Sequence, residues 1–319
     1  MQILNWQTLD PAARSAALAR PRASQDAAIR ARAAQLIATV RREGDAGVRR
    51  LARELDGAAL GPLRASAAEM RAALEALAAL ERAALQRAID NVTRFHAAQL
   101  PAGASVETQA GVRCESLIRP LRAVGLYVPA GSAPLPSAVI MLAVPARLAG
   151  CARRVLCTPP RRDGTAHPVI LAAAALCGIE EVYKIGGAQA IAALAYGTES
   201  VPKVAKIFGP GNAWVTAAKQ LVAEDPDGAA LDMPAGPSEV MVIADAEANA
   251  AFVAADLLAQ AEHGPDSQAV LLSDAPQLIS AVAVEIRRQQ SALSRQRILE
   301  SSVAAMRLIE VPDLASAVE

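Results

Sequence analysis

The chain lacks an excess of charge of either sign. Its 319 residues include 32 basic and 32 acidic side chains, so the formal net charge is zero. A nucleic-acid-binding surface or a peripheral membrane-binding surface generally needs an excess of positive charge. The arginines of the first 50 residues are interleaved with acidic residues such as Glu43 and Asp45, which indicates a solvated helical face. We therefore expect no nucleic-acid partner and no membrane partner, and we expect small-molecule chemistry.

The chain also lacks the cysteine pattern of a small secreted protein. Cys114, Cys151, Cys157 and Cys177 are widely spaced and form no Cys-x-x-Cys, so they are interpreted as small buried apolar residues. No stretch resembles a signal peptide, and no uninterrupted apolar run reaches membrane-spanning length. These absences predict a soluble, cytoplasmic protein, and the length suits two domains with a sizeable core.

Hydrophobic periodicity divides the chain into a helical first part and an α/β remainder. Residues 24–99 have apolar positions at helical spacing, and residues 105–120 indicate a hairpin. From Leu121 onward, short β-rich runs alternate with apolar helices, which predicts parallel sheets covered on both faces. The predicted fold class is α/β, with two Rossmann-like doubly wound parallel-sheet domains and an N-terminal helical region.

Seven strands and six helices are predicted from Ala123 onward. The predicted strands are Ala123–Val128, Arg154–Cys157, Glu181–Ile185, Val204–Phe208, Glu239–Ala244, Ala269–Leu272 and Arg307–Val311. The predicted α/β helices are Ser137–Ala149, Pro168–Cys177, Ala188–Tyr196, Ala213–Ala223, Ala250–Glu262 and Gln277–Arg288. Three domains are predicted. Residues 1–120 form a helical region and hairpin that pack with the second α/β domain. Residues 121–238 form the first Rossmann-like domain, and residues 239–319 form the second, which is incomplete at its C-terminus.

Three similar turns follow predicted strands of the first α/β domain and carry Tyr127, Gln189 and Asn212. Each turn is rich in glycine or proline and leads into a helix, whose free N–H groups can hold an anion or a ring. Ligands of such folds bind beyond the carboxyl ends of the strands, where we expect every unusual motif of this chain to lie. Ordinary roles remain open, packing for Tyr127 and helix capping for Gln189 and Asn212. No Gly-x-Gly-x-x-Gly follows the first strand, so the pattern alone predicts no standard dinucleotide site.

A predicted helix that ends at Gly264-Pro265 carries two potential metal ligands three residues apart. Gln260 and His263 are expected to project from one helical face. Asp256 lies on the same face, either to orient one of them or as an ordinary capping or solvent-facing residue. Spacing alone does not separate a metal site from helix capping or core packing. Ser238 ends a loop rich in proline and glycine and is expected to face the opening between the domains.

The chain resembles the histidinol dehydrogenase family over nearly its whole length. The most specific matching segments are Gly186-Gly-Ala-Gln-Ala-Ile-Ala-Ala-Leu-Ala-Tyr-Gly, Lys206-Ile-Phe-Gly-Pro-Gly-Asn, Asp232-Met-Pro-Ala-Gly-Pro-Ser-Glu and Gln260-Ala-Glu-His-Gly-Pro-Asp-Ser-Gln. The resemblance implies that an NAD- and zinc-dependent enzyme oxidises L-histidinol through the aldehyde to L-histidine in two hydride transfers. It also implies a homodimer when the protein is full length. By the same resemblance, the NAD-binding residues are Tyr127, Gln189 and Asn212, the substrate-binding residues are Ser238, Gln260 and His263, and the zinc ligands are Gln260 and His263.

The sequence departs from the family pattern in two places. Ala130 stands where the family usually has a second glycine, which alters the approach of the backbone to a ligand if the turn needs a positive φ. The chain stops at Glu319, before the family's catalytic Glu-His pair and its remaining zinc ligands, an Asp and a His. We therefore expect no catalytic residue within this chain, weak zinc binding and no activity of the chain alone. The alternatives are a truncated, non-catalytic paralogue that binds NAD or an imidazole ligand, and the same chemistry on another substrate.

Overall fold

A computed structural model of the chain describes residues 1–19, 27–130, 133–234, 238–265 and 267–319. Parts of the sequence segments discussed above lie outside these ranges, namely Ala235–Pro237 of the loop before Ser238, and Asp266. The chain forms two compact units. Unit 1 comprises Met1–Ala23 and Gly236–Glu319, and unit 2 comprises Ser24–Ala235. None of the helices in the described ranges has both the length and the apolar character needed to cross a membrane.

The elements are numbered in chain order. The helices are α1 Pro11–Ala17, α2 Ala27–Leu51, α3 Ala67–Glu75, α4 Ala79–Ala97, α5 Pro136–Leu148, α6 Pro168–Leu176, α7 Gly187–Tyr196, α8 Ala213–Glu224, α9 Ala250–Ala261, α10 Pro276–Gln290, α11 Gln296–Ala305 and α12 Leu314–Val318. The strands are β1 Gln2–Asn5, β2 Ser105–Gln109, β3 Val112–Glu115, β4 Ala123–Tyr127, β5 Arg153–Thr158, β6 Glu181–Lys184, β7 Lys206–Phe208, β8 Ala230–Leu231, β9 Glu239–Ile243, β10 Gln268–Ser273 and β11 Arg307–Glu310.

Unit 2 contains a five-stranded parallel sheet in the order β6-β5-β4-β7-β8. The chain winds outward from β4 to β6 and then returns to the other side of β4, so the order reverses between β4 and β7. Helices α5 and α6 pack together, and α7 packs with α8. Alternate residues of β4 serve two cores, since Val124 and Leu126 belong to one and Tyr127 to the other. Helices therefore cover both faces of this sheet, as doubly wound α/β folds require.

The N-terminal helices lie elsewhere than the predicted domain division places them. Residues 1–120 were expected to pack with the second α/β domain, but α2, α3, α4 and the β2–β3 hairpin belong to unit 2 with the first sheet. Helix α2 contacts α7 and α8, α3 contacts α6, and α4 contacts α5. The apolar face of α2, which includes Leu36, Val40 and Val48, is buried in the same core as α7. Periodicity identifies such a face without identifying the surface that covers it.

Unit 1 contains a four-stranded parallel sheet in the order β1-β11-β10-β9. Helices α9, α10 and α11 contribute to a large core on one face, which includes Leu257, Ile279 and Leu299. The opposite face carries a smaller cluster to which Ala317 of α12 and Trp6 contribute. The edge strand β1 comes from the first residues of the chain and pairs in parallel with β11. This pairing brings the two ends of the chain into one sheet.

The predicted α/β fold class is confirmed. Each predicted strand and helix from Ala123 onward has an observed counterpart whose bounds differ by at most two residues, and the antiparallel hairpin is present. The predictions missed β1, α1, β8 and α11. Strands β1 and β8 have only four and two residues and lie at sheet edges. A short edge strand has little apolar alternation, so its pairing partner rather than its own sequence defines it.

Candidate cofactor and substrate site

Tyr127 ends β4 at the point where the strand order of unit 2 reverses. The ring is buried, with 3% of the residue exposed, and the backbone N–H of Gly187 donates to the phenolic oxygen at 3.1 Å. Burial raises the pKa of Tyr127 to about 12, although the Gly187 hydrogen bond opposes the rise. The phenol therefore keeps its proton at neutral pH and joins the end of β4 to the start of α7.

Gln189 lies in the first turn of α7 and is almost fully buried, with 1% exposed. Its amide Nε2 donates to Asp56 Oδ2 at 3.1 Å. Asp56 ends the π-helical segment Ala52–Asp56 that follows α2. Burial raises the pKa of Asp56, and the Gln189 hydrogen bond only partly offsets that effect. Two of the three predicted cofactor residues are thus buried polar groups at the carboxyl edge of one sheet.

Asn212 caps helix α8, as the ordinary interpretation of the sequence allowed. Its Oδ1 accepts a hydrogen bond from the Val215 N–H at 3.1 Å, and the residue itself is exposed. The turn before it contains Gly209, whose φ is +127°. A Cβ at Gly209 would overlap the carbonyl oxygen of Tyr127, so only glycine lets the β7 turn approach the end of β4 this closely.

An ion pair between Lys219 and Asp232 contacts the backbone of the same turn. Lys219 of α8 is 4% exposed, and its ammonium group contacts Asp232 Oδ1 and donates to the Gly209 carbonyl oxygen at 2.9 Å. Asp232 Oδ2 accepts from the Gly209 N–H at 2.9 Å, and Oδ1 accepts from the Met233 N–H at 2.8 Å. Burial acts to raise the pKa of Asp232, but the hydrogen bonds from Lys219, Gly209 and Met233 together lower it. The carboxylate is therefore charged at neutral pH and fixes the β7 turn.

Ser238, Gln260 and His263 belong to unit 1. They lie at the amino edge of its sheet, whereas the sequence predicted the carboxyl edge. Ser238 directly precedes β9, and Gln260 and His263 are at the end of α9, which leads into β10. The Gln268 N–H donates to the Ser238 carbonyl oxygen at 2.9 Å, which joins the starts of the two strands. The expectation that every unusual motif follows the carboxyl end of a strand is wrong for these three residues. A residue that precedes a parallel strand lies at the amino edge of its sheet.

The end of α9 is as sharp as the Gly264-Pro265 signal predicts, since the helix stops at Ala261. The His263 N–H donates to the Gln260 carbonyl oxygen at 3.2 Å. His263 and Asp256 are exposed, and Gln260 is half-buried. Just beyond the turn, Ser267 Oγ and Gln268 Oε1 are buried and have no hydrogen-bond partner among the described residues. Buried oxygen atoms of this kind normally find a polar partner.

Comparisons with known proteins identify the family. The family model described as histidinol dehydrogenase matches residues 18–319. The chain belongs to the histidinol dehydrogenase family. It is 55% identical over 317 residues to a protein named histidinol dehydrogenase from Xanthomonas euvesicatoria pv. vesicatoria (strain 85-10), covering 99% of this chain and 73% of that relative. A protein of the same name from Colwellia psychrerythraea (strain 34H / ATCC BAA-681) is 50% identical over 318 residues, covering 100% of this chain and 73% of that relative.

A solved structure supports the same family membership. The crystal structure of histidinol dehydrogenase from Elizabethkingia anophelis is 40% identical in sequence and superimposes with a TM-score of 0.92. The likeness covers 100% of this chain and 72% of that one. The family resemblance inferred from the four sequence segments is therefore confirmed, and so is the mixed α/β architecture with parallel sheets. An oxidoreductase of histidine biosynthesis is the class of protein that this family name denotes.

Sequence reasoning missed Asp56 and gave Lys219 and Asp232 no role. Asp56 lies 133 positions from Gln189 along the chain, and no local pattern links the two residues. Lys219 was detectable, because it occupies the apolar stripe of α8 between Val215 and Val222, where a charged residue needs a buried partner. Its partner Asp232 opens a segment that was cited for its prolines and glycine and for its match to the family, with no role given to the carboxylate.

Proposed function

We propose that this chain carries the NAD-binding residues and part of the substrate-binding residues of a histidinol dehydrogenase. The reaction is the oxidation of L-histidinol through the aldehyde to L-histidine, with two molecules of NAD consumed. The observation that carries the proposal is the pair of buried polar side chains, Tyr127 and Gln189, at the strand-order reversal of a doubly wound sheet. Ligands of such sheets bind at this position.

Three side chains are assigned to the cofactor, and each keeps a hydrogen-bond donor or acceptor that its contacts within the protein do not use. The Tyr127 hydroxyl accepts from Gly187 and keeps its own proton to donate. The Gln189 amide donates through Nε2 to Asp56 and keeps its oxygen as an acceptor. Asn212 uses Oδ1 as a helix cap and keeps Nδ2 as a donor. When bound, NAD accepts hydride from the carbon that is oxidised.

The substrate and zinc assignments rest on the family resemblance. Ser238, Gln260 and His263 are proposed to bind L-histidinol, and an amide oxygen with an imidazole nitrogen is a donor set that zinc accepts. Gln260 and His263 supply two donors, whereas zinc sites use three or four. Within the described ranges, no group of three or more His, Cys, Asp or Glu side chains could hold a metal ion. Zinc binding, homodimer formation and a cytoplasmic location therefore stay predictions.

Calorimetric titration of the chain with NAD tests the cofactor assignment. We expect Tyr127→Phe to weaken NAD binding about fivefold, because one neutral hydrogen bond contributes roughly 1 kcal/mol. The matched control is Tyr196→Phe, since the Tyr196 hydroxyl donates to Asp225 at 2.9 Å, and this variant should bind NAD as the unaltered chain does. Thermal denaturation of both variants checks that they are folded.

The proposal fails if the unaltered chain binds no NAD, or if both tyrosine variants weaken NAD binding equally. NADH formation with L-histidinol, NAD and added zinc addresses turnover separately. The prediction that this chain is inactive alone would be contradicted by two NADH formed per L-histidine. Binding of NAD without NADH formation is the result expected of the non-catalytic alternative.

A further inference from the structure

A cavity of about 470 Å³ opens in unit 2 where β4 and β5 end. Its lining includes one carboxylate, Asp56, three basic side chains, Arg161, Arg162 and His167, and the backbone after β4 at Ala130. The volume lies in the range of pockets that hold small molecules. Groups of both charges face one cavity, so a ligand that fits it should offer hydroxyl groups and an anion together.

Asp56 keeps most of its hydrogen-bonding capacity after its contacts within the protein. The residue is half-buried, and the Gln189 amide is its one hydrogen-bond donor among the described residues. A carboxylate has about four acceptor positions on its two oxygens. Two neighbouring hydroxyl groups, such as those of a ribose ring, would bond to the acceptor positions of Asp56 that no donor among the described residues uses. Carboxylates bind ribose in this way at the carboxyl edges of Rossmann-type sheets.

The basic residues follow β5 and begin α6. Arg161 and Arg162 are exposed, and Arg161 lies 3.6 Å from Asp163. His167 caps α6, with its Nδ1 accepting from the Val169 N–H at 3.3 Å, so its Nε2 is free of that role. Two guanidinium groups at the mouth of a cavity are suited to a phosphate.

We propose that Asp56 binds ribose hydroxyl groups of the dinucleotide in this cavity, with Arg162 and Arg161 against a phosphate of the same molecule, and that Asp56 thereby selects NAD over NADP. The inference rests on the proposed function, because Gln189 joins Asp56 to the residues assigned to NAD. It adds a selectivity residue from a part of the chain, the end of the segment after α2, that carries no recognised nucleotide motif.

The strengths of the electrostatic interactions with the extra phosphate of NADP decide which cofactor the cavity favours. The extra phosphate of NADP would meet the carboxylate of Asp56 and could also meet the arginines. Two charges interact about fourfold more weakly in bulk water than near a protein surface of effective dielectric constant about 20. Arg161 and Arg162 are exposed, and Arg161 already has Asp163 beside it, whereas Asp56 is half-buried. Repulsion by Asp56 should therefore outweigh attraction by the arginines.

The test is calorimetric titration of the full chain with NAD and with NADP. We expect the unaltered chain to bind NAD at least about tenfold more tightly than NADP, and Asp56→Asn to reduce that ratio about tenfold, since a hydrogen bond to a charged group contributes roughly 1.5–3 kcal/mol. Arg162→Gln should weaken NAD binding severalfold. The matched control is Asp90→Asn on α4, because Asp90 also accepts from a glutamine, Gln86, at 2.9 Å, but is exposed.

Each outcome of this test has a distinct meaning. A reduced NAD-to-NADP ratio in Asp56→Asn, with no change in Asp90→Asn, supports the inference. An unchanged ratio in a folded Asp56→Asn variant that still binds NAD overturns the inference and leaves the proposed function standing. Failure of the unaltered chain to bind NAD overturns both. Thermal denaturation of Asp56→Asn distinguishes a purely structural role from a role in selectivity. A purely structural role would change the melting temperature and leave the NAD-to-NADP affinity ratio unchanged.

Discussion

Two pairs of polar side chains, each with one buried and one half-buried member, organise the carboxyl edge of the sheet in unit 2. Lys219 and Asp232 form one pair, and Gln189 and Asp56 form another. A buried charge is tolerated only when it is paired and hydrogen-bonded. Lys219 also donates to the Gly209 carbonyl oxygen, so the pair joins the residue after β7, the middle of α8 and the residue after β8. Loss of either partner should therefore loosen the turn that carries Asn212.

Lys219→Met is expected to lower the free energy of unfolding by about 3 kcal/mol at pH 7, because it leaves Asp232 without its cation. Urea denaturation measures this change. The matched control is Arg288→Met on α10, which removes an exposed partner of Glu285 and should have no measurable effect. Equal stability of the Lys219→Met variant and the unaltered chain would show that the buried pair is not needed to hold the turn.

The effect of Lys219→Met should depend on pH. The pKa of Asp232 in the folded chain lies below its ordinary value of 3.8. A carboxylate with a lowered pKa contributes stability above its unfolded-state pKa, and that contribution is lost as the pH falls through the folded-state value. The stability difference between variant and unaltered chain should therefore be largest near pH 7 and shrink below about pH 4. A constant difference across this range would contradict the ionic origin.

At the scale of the element, α2 is two helical segments joined at Gly44. The φ and ψ of Gly44 are +53° and −135°, which only glycine adopts easily. The kink frees the Asp45 N–H, which donates to Glu199 Oε2 at 2.7 Å. The Asp45 carboxylate accepts from Thr198 Oγ1 at 2.6 Å and from the Ser200 hydroxyl. The loop after α7 thus caps the second segment of α2 and sets the course of the chain toward Asp56.

Gly44→Ala should destabilise the chain by about 2 kcal/mol, since a side chain in such a backbone conformation costs roughly 1–3 kcal/mol. The added Cβ would also overlap the Glu199 carboxylate. Gly61→Ala is the control, because a Cβ there meets no atom within 4 Å, and it should change stability by less than about 0.5 kcal/mol. Thermal and urea denaturation distinguish the two variants, and equal stabilities would show that the kink at Gly44 can be relaxed.

At the scale of the whole molecule, the two units have separate cores. The clusters of unit 2 contain Ile191 and Leu194, and the largest cluster of unit 1 contains Leu257 and Leu258. The chain has two tryptophans, Trp6 in unit 1 and Trp214 in unit 2. A Trp214→Phe background therefore leaves a fluorescence signal from unit 1 alone.

In that background, Leu257→Ala should lower the urea midpoint reported by Trp6, because a buried Leu→Ala change costs about 2–5 kcal/mol. Ile191→Ala, a comparable truncation in unit 2, should leave the Trp6 midpoint nearly unchanged, while circular dichroism should detect loss of stability in unit 2. Identical shifts of the Trp6 midpoint in both variants would show that the two cores unfold as one.

The amino-acid sequence alone determined the strands and helices from Ala123 to Val311, except β8 and α11, because each of the others has its own period and most end close to a glycine, proline or aspartate. It also identified the family through four segments, and it predicted the sharp end of α9 before Gly264. These features are local, so the order of residues is enough to predict them.

Only the tertiary structure decided which surfaces and side chains meet. It assigned α2, α3 and α4 to the first sheet, brought β1 beside β11, and placed Ser238 and His263 at the amino edge of the second sheet. It also joined Asp56 to Gln189 across 133 positions. Residues that are distant in the chain bury one another, so the sequence around an apolar face or a single charged residue does not identify the surface or the side chain that it contacts.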